Sequence, residues 1–347
     1  MNKRSIKTNI LMAGLLSVVV ASFSSCQKEE FVYNENTVTK PSITFVALTS
    51  SSSTTPSALI RYNSNGVTVA AQAATSITGL QTGESIVAID YRPSNKLLYG
   101  LGSTGRLYSL TNAAGAYATV LVGAITPALS GGGVAAFDFN PVADRLRIIT
   151  TTGLNYRVNP ADATAIVDGA INNVANAVVT GCAYTNSVSP APTTTELFSL
   201  DVASQRLYKQ DANAGTLTVV GSLGNTPMPV NTPGYSTAYI TNINNARLAA
   251  VGGFDISTSG VGLAVFSPNN QPAIPVGGIV AAVAATPTAP AVAANPGSAV
   301  SAITNNPSTL FKIDLQTGKA TDLGVIAIIG ASNEAPAANI IGLAILP

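Results

Sequence analysis

The sequence predicts an all-β fold, a β-propeller of five four-stranded blades in which the N- and C-terminal strands share one blade. Three observations predict it. The stretch Ile89 to Thr111 reappears, degraded, as Phe137 to Asn159, 48 residues on: Asp90 matches Asp138, Pro93 Pro141, Leu98 Leu146, Gly105 Gly153 and Tyr108 Tyr156. A repeat of that length, made of short apolar runs and turn residues, has the size of a propeller blade. Composition agrees: the 347 residues include no tryptophan and no histidine and are only 10% charged. After the first segment, short β-rich runs bounded by Gly, Asn and Pro replace any amphipathic helical period. Lastly, the chain closes on Ile340 to Leu346, an apolar run that looks like an inner strand without companions.

The order of elements starts with an address. Lys3, Arg4 and Lys7 precede the uncharged apolar run Ile10 to Ala21, shorter than the roughly 20 residues of a membrane span and suited to a secretory signal. It ends in Phe23-Ser24-Ser25-Cys26, small residues before a cysteine, which resembles the lipobox of bacterial lipoproteins. The expectation is a signal peptide over 1–25, lipid attachment at Cys26, and a tether over 26–42. Gln27-Lys28-Glu29-Glu30 resembles the acidic tag of surface-exposed lipoproteins in Bacteroidota, which implies an outer-membrane protein displayed at the cell surface. Losing residues 1–25 removes three positive charges and moves the formal charge from +1 to −2. No basic run survives, which argues against nucleic acid as a partner. Cys182, in an apolar run, has no cysteine left to pair with and reads as a small buried hydrophobe.

The blades follow over 43–347. One unit lays out as Ser85 to Tyr91, Lys96 to Leu101, Arg106 to Leu110 and Ala116 to Val122, with Ser94-Asn95 and Ser103-Thr104-Gly105 as turns. The next runs from Val134 to about Val167. A third opens at Val178 to Tyr184 and continues through Glu196 to Leu200, Arg206 to Tyr208 and Thr216 to Val220. A fourth opens at Val251 to Ile256 and ends in the hairpin Leu310 to Asp314 and Lys319 to Leu323. The three strands missing beside Ile340 to Leu346 lie at the other end: Thr44 to Leu48, Ser57 to Tyr62 and Val67 to Ala71. Sharing that blade closes the ring and removes open sheet edges. Six blades is the alternative, because the intervals 222–247 and 267–308 resist assignment and read as insertions.

Gly83 to Pro93 with Leu98 to Tyr108, Phe137-Asp138-Phe139-Asn140-Pro141 with Asp144-Arg145-Leu146-Arg147, and Gly252 to Ile256 together resemble a bacterial secreted family, domain of unknown function 4394. The resemblance covers about residues 43 to 347 apart from the insertions. It implies a propeller-like, extracytoplasmic protein and no assigned activity.

Candidate chemistry is sparse. Gly100 to Gly105 spells G-x-G-x-x-G, yet a strand pattern follows where a nucleotide site needs a helix, so it reads as an inter-strand turn. The absence of histidine excludes Ser-His-Asp triads, Cys-His pairs and imidazole zinc ligands. Asp90, Asp138 and Asp255 occupy equivalent places on three inner strands, where two other blades carry Ala183 and Ala344. Three carboxylates near an axis could bind polar ligand groups or a structural cation such as calcium; no other cofactor is implied. The competing view is that they satisfy backbone donors, since a residue shared by repeats usually serves the repeat. Arg92, Arg145 and Arg147 are candidate contacts for an anionic ligand, against ion pairs with Asp144 and its neighbours. Tyr91, Tyr99, Tyr108, Tyr156 and Tyr184 could stack on sugars but sit where blades pack.

The expected function is therefore a surface-anchored, non-catalytic binding module for an extracellular glycan or protein. The first alternative is a carboxylate-dependent polysaccharide enzyme, a glycosidase or lyase, which needs two carboxyl groups about 5 to 10 Å apart facing one cleft. The second is an inert structural protein, which predicts no concave polar pocket. No residue is expected to be catalytic, and the oligomeric state is open.

Overall fold

The computed structural model describes residues 39–51, 56–66, 73–113, 115–202, 204–224, 251–266, 308–326 and 340–347, and those residues form an all-β, propeller-like fold. Its strands are β1 (Thr44–Thr49), β2 (Ala58–Asn63), β3 (Thr75–Thr78), β4 (Ile86–Arg92), β5 (Leu97–Gly102), β6 (Arg106–Ala113) and β7 (Ala116–Ala124). Then come β8 (Val134–Asn140), β9 (Arg145–Thr150), β10 (Asn155–Val158), β11 (Ala165–Asp168), β12 (Gly181–Tyr184), β13 (Leu197–Asp201), β14 (Arg206–Gln210) and β15 (Leu217–Ser222). The last are β16 (Val251–Ile256), β17 (Gly262–Phe266), β18 (Thr309–Ile313), β19 (Ala320–Val325) and β20 (Ile340–Ile345).

Three four-stranded antiparallel sheets, β8 to β11, β12 to β15 and β16 to β19, each follow chain order from an inner to an outer strand. The fourth sheet has eight strands in the order β20-β1-β2-β3-β7-β6-β5-β4. It is two such blades joined at their outer strands, because β3 pairs in parallel with β7 through Ile77–Tyr117 and Thr78–Ala118. The sequence expects those two blades to be separate. The Val67 to Ala71 strand expected there lies outside the described residues; the described partner of β2 is β3. Elsewhere the expected strands fall within a few residues of the observed ones. Both insertions also lie largely outside the described residues.

The two ends of the chain meet in one sheet. β20 pairs antiparallel with β1 from Phe45–Ile345 to Leu48–Gly342. The inner strands β20, β4, β8, β12 and β16 stand side by side around an axis, each beside the next and β16 beside β20. The inner and middle strands are buried on both faces between blades, so among the described residues the core is not one mass but five clusters, each filled from two neighbouring blades. Among the described residues the inner strands exchange no sheet pairing across blades, so this stacking holds the ring.

Repeated residues serve repeated tasks. Tyr108, Tyr156 and Tyr208 on the third strands are all buried. Each hydroxyl finds a partner: Tyr108 donates to Glu84 (2.6 Å), Tyr156 accepts from the Ser130 amide (3.1 Å), and Tyr208 meets Ser204 Oγ (3.1 Å). The glycine run is architectural too. Gly102 faces Glu84, whose carboxylate would stand 2.1 Å from a Cβ there, and Gly105 turns the chain at φ +81°.

Candidate functional site

The inner strands end on one face, and the three aspartates stand there. β4, β8 and β16 bring Asp90, Asp138 and Asp255 together at the axis, each at most 5% exposed, with carboxylate oxygens within 4.8 Å of one another. What those oxygens do follows the blade order. Asp90 Oδ2 accepts from the Phe139 amide of the next blade (2.8 Å), Asp138 Oδ2 from Tyr184 (2.8 Å), and Asp255 Oδ2 from Ile345 (2.6 Å). In each case the donor follows the equivalent position on the neighbouring inner strand.

Where the preceding blade carries alanine, the aspartate satisfies its own successor instead. Asp90, which follows the Ala344 blade, accepts from Tyr91 (2.7 Å); Asp255, which follows the Ala183 blade, accepts from Ile256 (2.6 Å). Five inner-strand amides are thus satisfied by five carboxylate oxygens. The second oxygen of Asp138 is left over, and the Asp138 and Asp90 carboxyl groups hydrogen-bond to each other.

Burial pushes all three acids up. Asp90 and Asp138 stand well above the usual carboxylate range, raised further by neighbouring aspartates, and their amide donors only partly offset this. Asp255 is pushed up to about 7 by burial, against the pull of the Ile345 and Ile256 amides. The ring could present oxygen to a cation, but most of that oxygen already faces backbone. Behind the ring, the axis holds a cavity of about 80 Å³ lined by Val87, Ala88, Ile89, Phe137, Phe254 and their neighbours. It is far smaller than the roughly 300 Å³ of the smallest ordinary ligand pockets.

The three expected anion-binding arginines do not converge. Arg92 forks onto Asp144, with Nε 2.8 Å from Oδ1, and its Nη1 reaches Tyr99 Oη at 3.2 Å. Arg147, 3% exposed, donates through Nη1 to Asp168 (2.7 Å) and Asn155 (2.9 Å). Arg145 donates to the Asp144 carbonyl at 2.9 Å. Two of the three are thus engaged by carboxylates rather than held open for a ligand. Tyr99, Tyr108, Tyr156 and Tyr184 are buried between blades and offer no free ring face. Cys182 is buried and unpaired, its thiol pushed well up by burial. Cys26 lies outside the described residues.

Open space lies beside the ring on the same face, around the loop from Thr185 to Glu196. One cleft, of about 620 Å³, is lined by Asn140, Tyr184, Lys209, Gln210, Asp211, Thr216 and Thr218. A second, of about 810 Å³, is lined by Asn186, Thr194, Lys312, Asp314 and Gln316 among others. Thr195 and Glu196 belong to both. Asp211 accepts from the Asn213 and Ala214 amides and Asp314 from Gln316 and Thr317, which hold both below the usual carboxylate range. Glu196 pairs with Lys209.

The repeats as read from the sequence place no site in this loop. The available signal was its length. The chain spends twelve residues, 185–196, between the first two strands of this blade, where the two preceding blades spend four, 93–96 and 141–144.

Known proteins offer a family and distant shapes. The family model described as Domain of unknown function (DUF4394) matches residues 58–234. No curated protein matches the chain. Among solved structures, a structural-genomics protein of unknown function from Bacteroides thetaiotaomicron is 12% identical, with a TM-score of 0.41 over 76% of this chain. The chain spans only 54% of that protein's length. A chain of a nidogen/laminin complex is 8% identical, with a TM-score of 0.44 over 88% of this chain and 98% of its own. A putative 6-phosphogluconolactonase from Bacteroides uniformis is 11% identical, with a TM-score of 0.42 over 88% and 99%.

Proposed function

The chain belongs to the family described as Domain of unknown function (DUF4394), and from that footing we propose that it is a surface-anchored lipoprotein whose five-bladed propeller displays a non-catalytic binding face. The observation that carries the binding reading is the contrast on one face between carboxylates spent on the fold and polar clefts left open beside them. Its raised acids are buried and hydrogen-bonded at the axis, while the cleft acids Asp211 and Asp314 are held low. A glycosidase needs one cleft acid that stays protonated near neutral pH to protonate the leaving group. An inert structural protein would have no use for two concave polar clefts.

Five blades account for the strand groups and for the five inter-blade clusters. The anchor rests on Lys3, Arg4, Lys7, the apolar run and the small residues before Cys26. Acylation at Cys26 and display at the outer membrane are tested together by comparing the wild-type chain with Cys26→Ala. Lipid-modified N-terminal peptide by mass spectrometry and recovery with membranes are expected for the wild type only. A soluble wild-type protein with an unmodified Cys26 would refute the anchor. The binding reading is tested by retention of the full chain on an array of extracellular glycans and proteins. Saturable retention on at least one of them is expected, and retention on none contradicts it.

A further inference from the structure

The two clefts share the Thr195–Glu196 wall, and we propose that they form one groove that takes a neutral saccharide chain. The proposal rests on the binding-module reading and gives it a substrate class.

The walls point to the class. Asn140, Asn186, Thr194, Thr195, Thr216 and Thr218 supply hydroxyl and amide groups. Such groups both donate and accept, which matches the alternating demands of sugar hydroxyls. Each cleft falls within the roughly 300 to 1,000 Å³ of ordinary ligand sites, so the pair suits a chain of several rings rather than one.

Charge excludes the acidic sugars. Neither wall contains an arginine, Lys209 is paired with Glu196, and the Asp211 and Asp314 carboxylates add negative potential. Lys312, half-buried, makes no ion pair among the described residues but lies close enough to Asp314 to lower its pKa. A uronate or phosphate would find no bidentate donor here. A peptide is also poorly served, because Leu197, Phe198 and Ile313 are buried and only Val261 and Leu315 of the larger apolar wall members are half-exposed, too few for a row of side-chain pockets.

One group marks the floor of the smaller cleft. Gln210 is 4% exposed, its Oε1 accepts from Ser199 Oγ at 2.6 Å, and its Nε2 has no acceptor. A buried amide N–H without a partner is uncommon and calls for an explanation. The terminal torsion of glutamine is broad, so a small rotation turns this amide toward the cleft that Gln210 lines. A sugar hydroxyl or acetamido carbonyl seated there would supply the acceptor.

Calorimetric titration of the full-length chain tests the inference. The probes are malto-, cello-, manno-, xylo- and chitohexaose, with hexagalacturonate and a mixed hexapeptide library as comparisons. At least one neutral hexasaccharide should bind saturably, and its disaccharide should bind at least tenfold more weakly. Gln210→Met should weaken binding tenfold or more. Glu196→Ala, an exposed change that spares the fold, should weaken it fivefold or more with an unchanged melting midpoint. Failure of every neutral hexasaccharide overturns the inference, as does full affinity in Glu196→Ala. Binding of hexagalacturonate or peptides alone overturns the neutral-saccharide class and leaves the binding-module reading standing. That reading fails separately, if the chain is retained by no glycan or protein on the array.

Discussion

Asp138 differs from its two companions in a way that one atom decides. Asp90 and Asp255 each accept two backbone amides, whereas Asp138 accepts one and turns its other oxygen to Asp90. Asparagine at 138 reproduces the protonated acid: its oxygen takes the Tyr184 amide and its NH₂ donates to Asp90. Asp138→Asn should therefore not destabilise the fold, leaving the unfolding free energy at pH 7 unchanged or raised. Asp255→Asn instead turns an NH₂ against a backbone N–H and should cost about 1–3 kcal/mol or more, read by denaturant unfolding. The repeat makes three equivalent aspartates legible in the sequence. It does not disclose which neighbour's amide each one meets, because that depends on the stagger between adjacent blades. Gly102 is similar: its presence is readable, but the Glu84 carboxylate against it comes from the segment that leads into β4. Gly102→Ala should displace that carboxylate from Thr104 and Tyr108 and cost about 1–3 kcal/mol in the same assay.

At the scale of elements, the joints are less legible than the strands. Alternating apolar runs and turn residues placed most strands within a few residues, since period and turn chemistry are local signals. β3 escaped because three of the four residues from Thr75 to Thr78 are polar, with alternate residues exposed, and it carries little hydrophobic signal. Its parallel pairing with β7 covers part of an outer edge that would otherwise be open, a tertiary outcome with no local signature. The last strand is the opposite case, an apolar run that needed a partner and has one in β1. Gly253 lets it approach, since a Cβ there would stand 2.3 Å from the Leu343 amide. Truncation before Ile340 removes the inner strand of the shared blade and one amide bound by Asp255. The truncated chain should lose its cooperative thermal transition in circular dichroism and aggregate on size exclusion.

Across the whole molecule, protonation couples the ring to stability. Asp90, Asp138 and Asp255 hold their protons more tightly folded than unfolded. Their contribution is complete below the unfolded carboxylate range near pH 4 and is lost as pH rises through the folded values, which for Asp255 is about 7. Exposed acids such as Asp211 and Asp314, held low, oppose this only at still lower pH. The melting midpoint should therefore fall by about 5 °C between pH 5 and pH 8, and Asp138→Asn should flatten that slope. A midpoint that rises over the same interval would refute the protonated ring. That the ring serves the fold and the clefts serve binding is tested by retention of two variants on the same glycan and protein array. Asp138→Asn should bind as the wild type does and Glu196→Ala should lose retention. Loss of retention in Asp138→Asn at an unchanged melting midpoint, with Glu196→Ala still bound, would move the site to the axis and contradict the account.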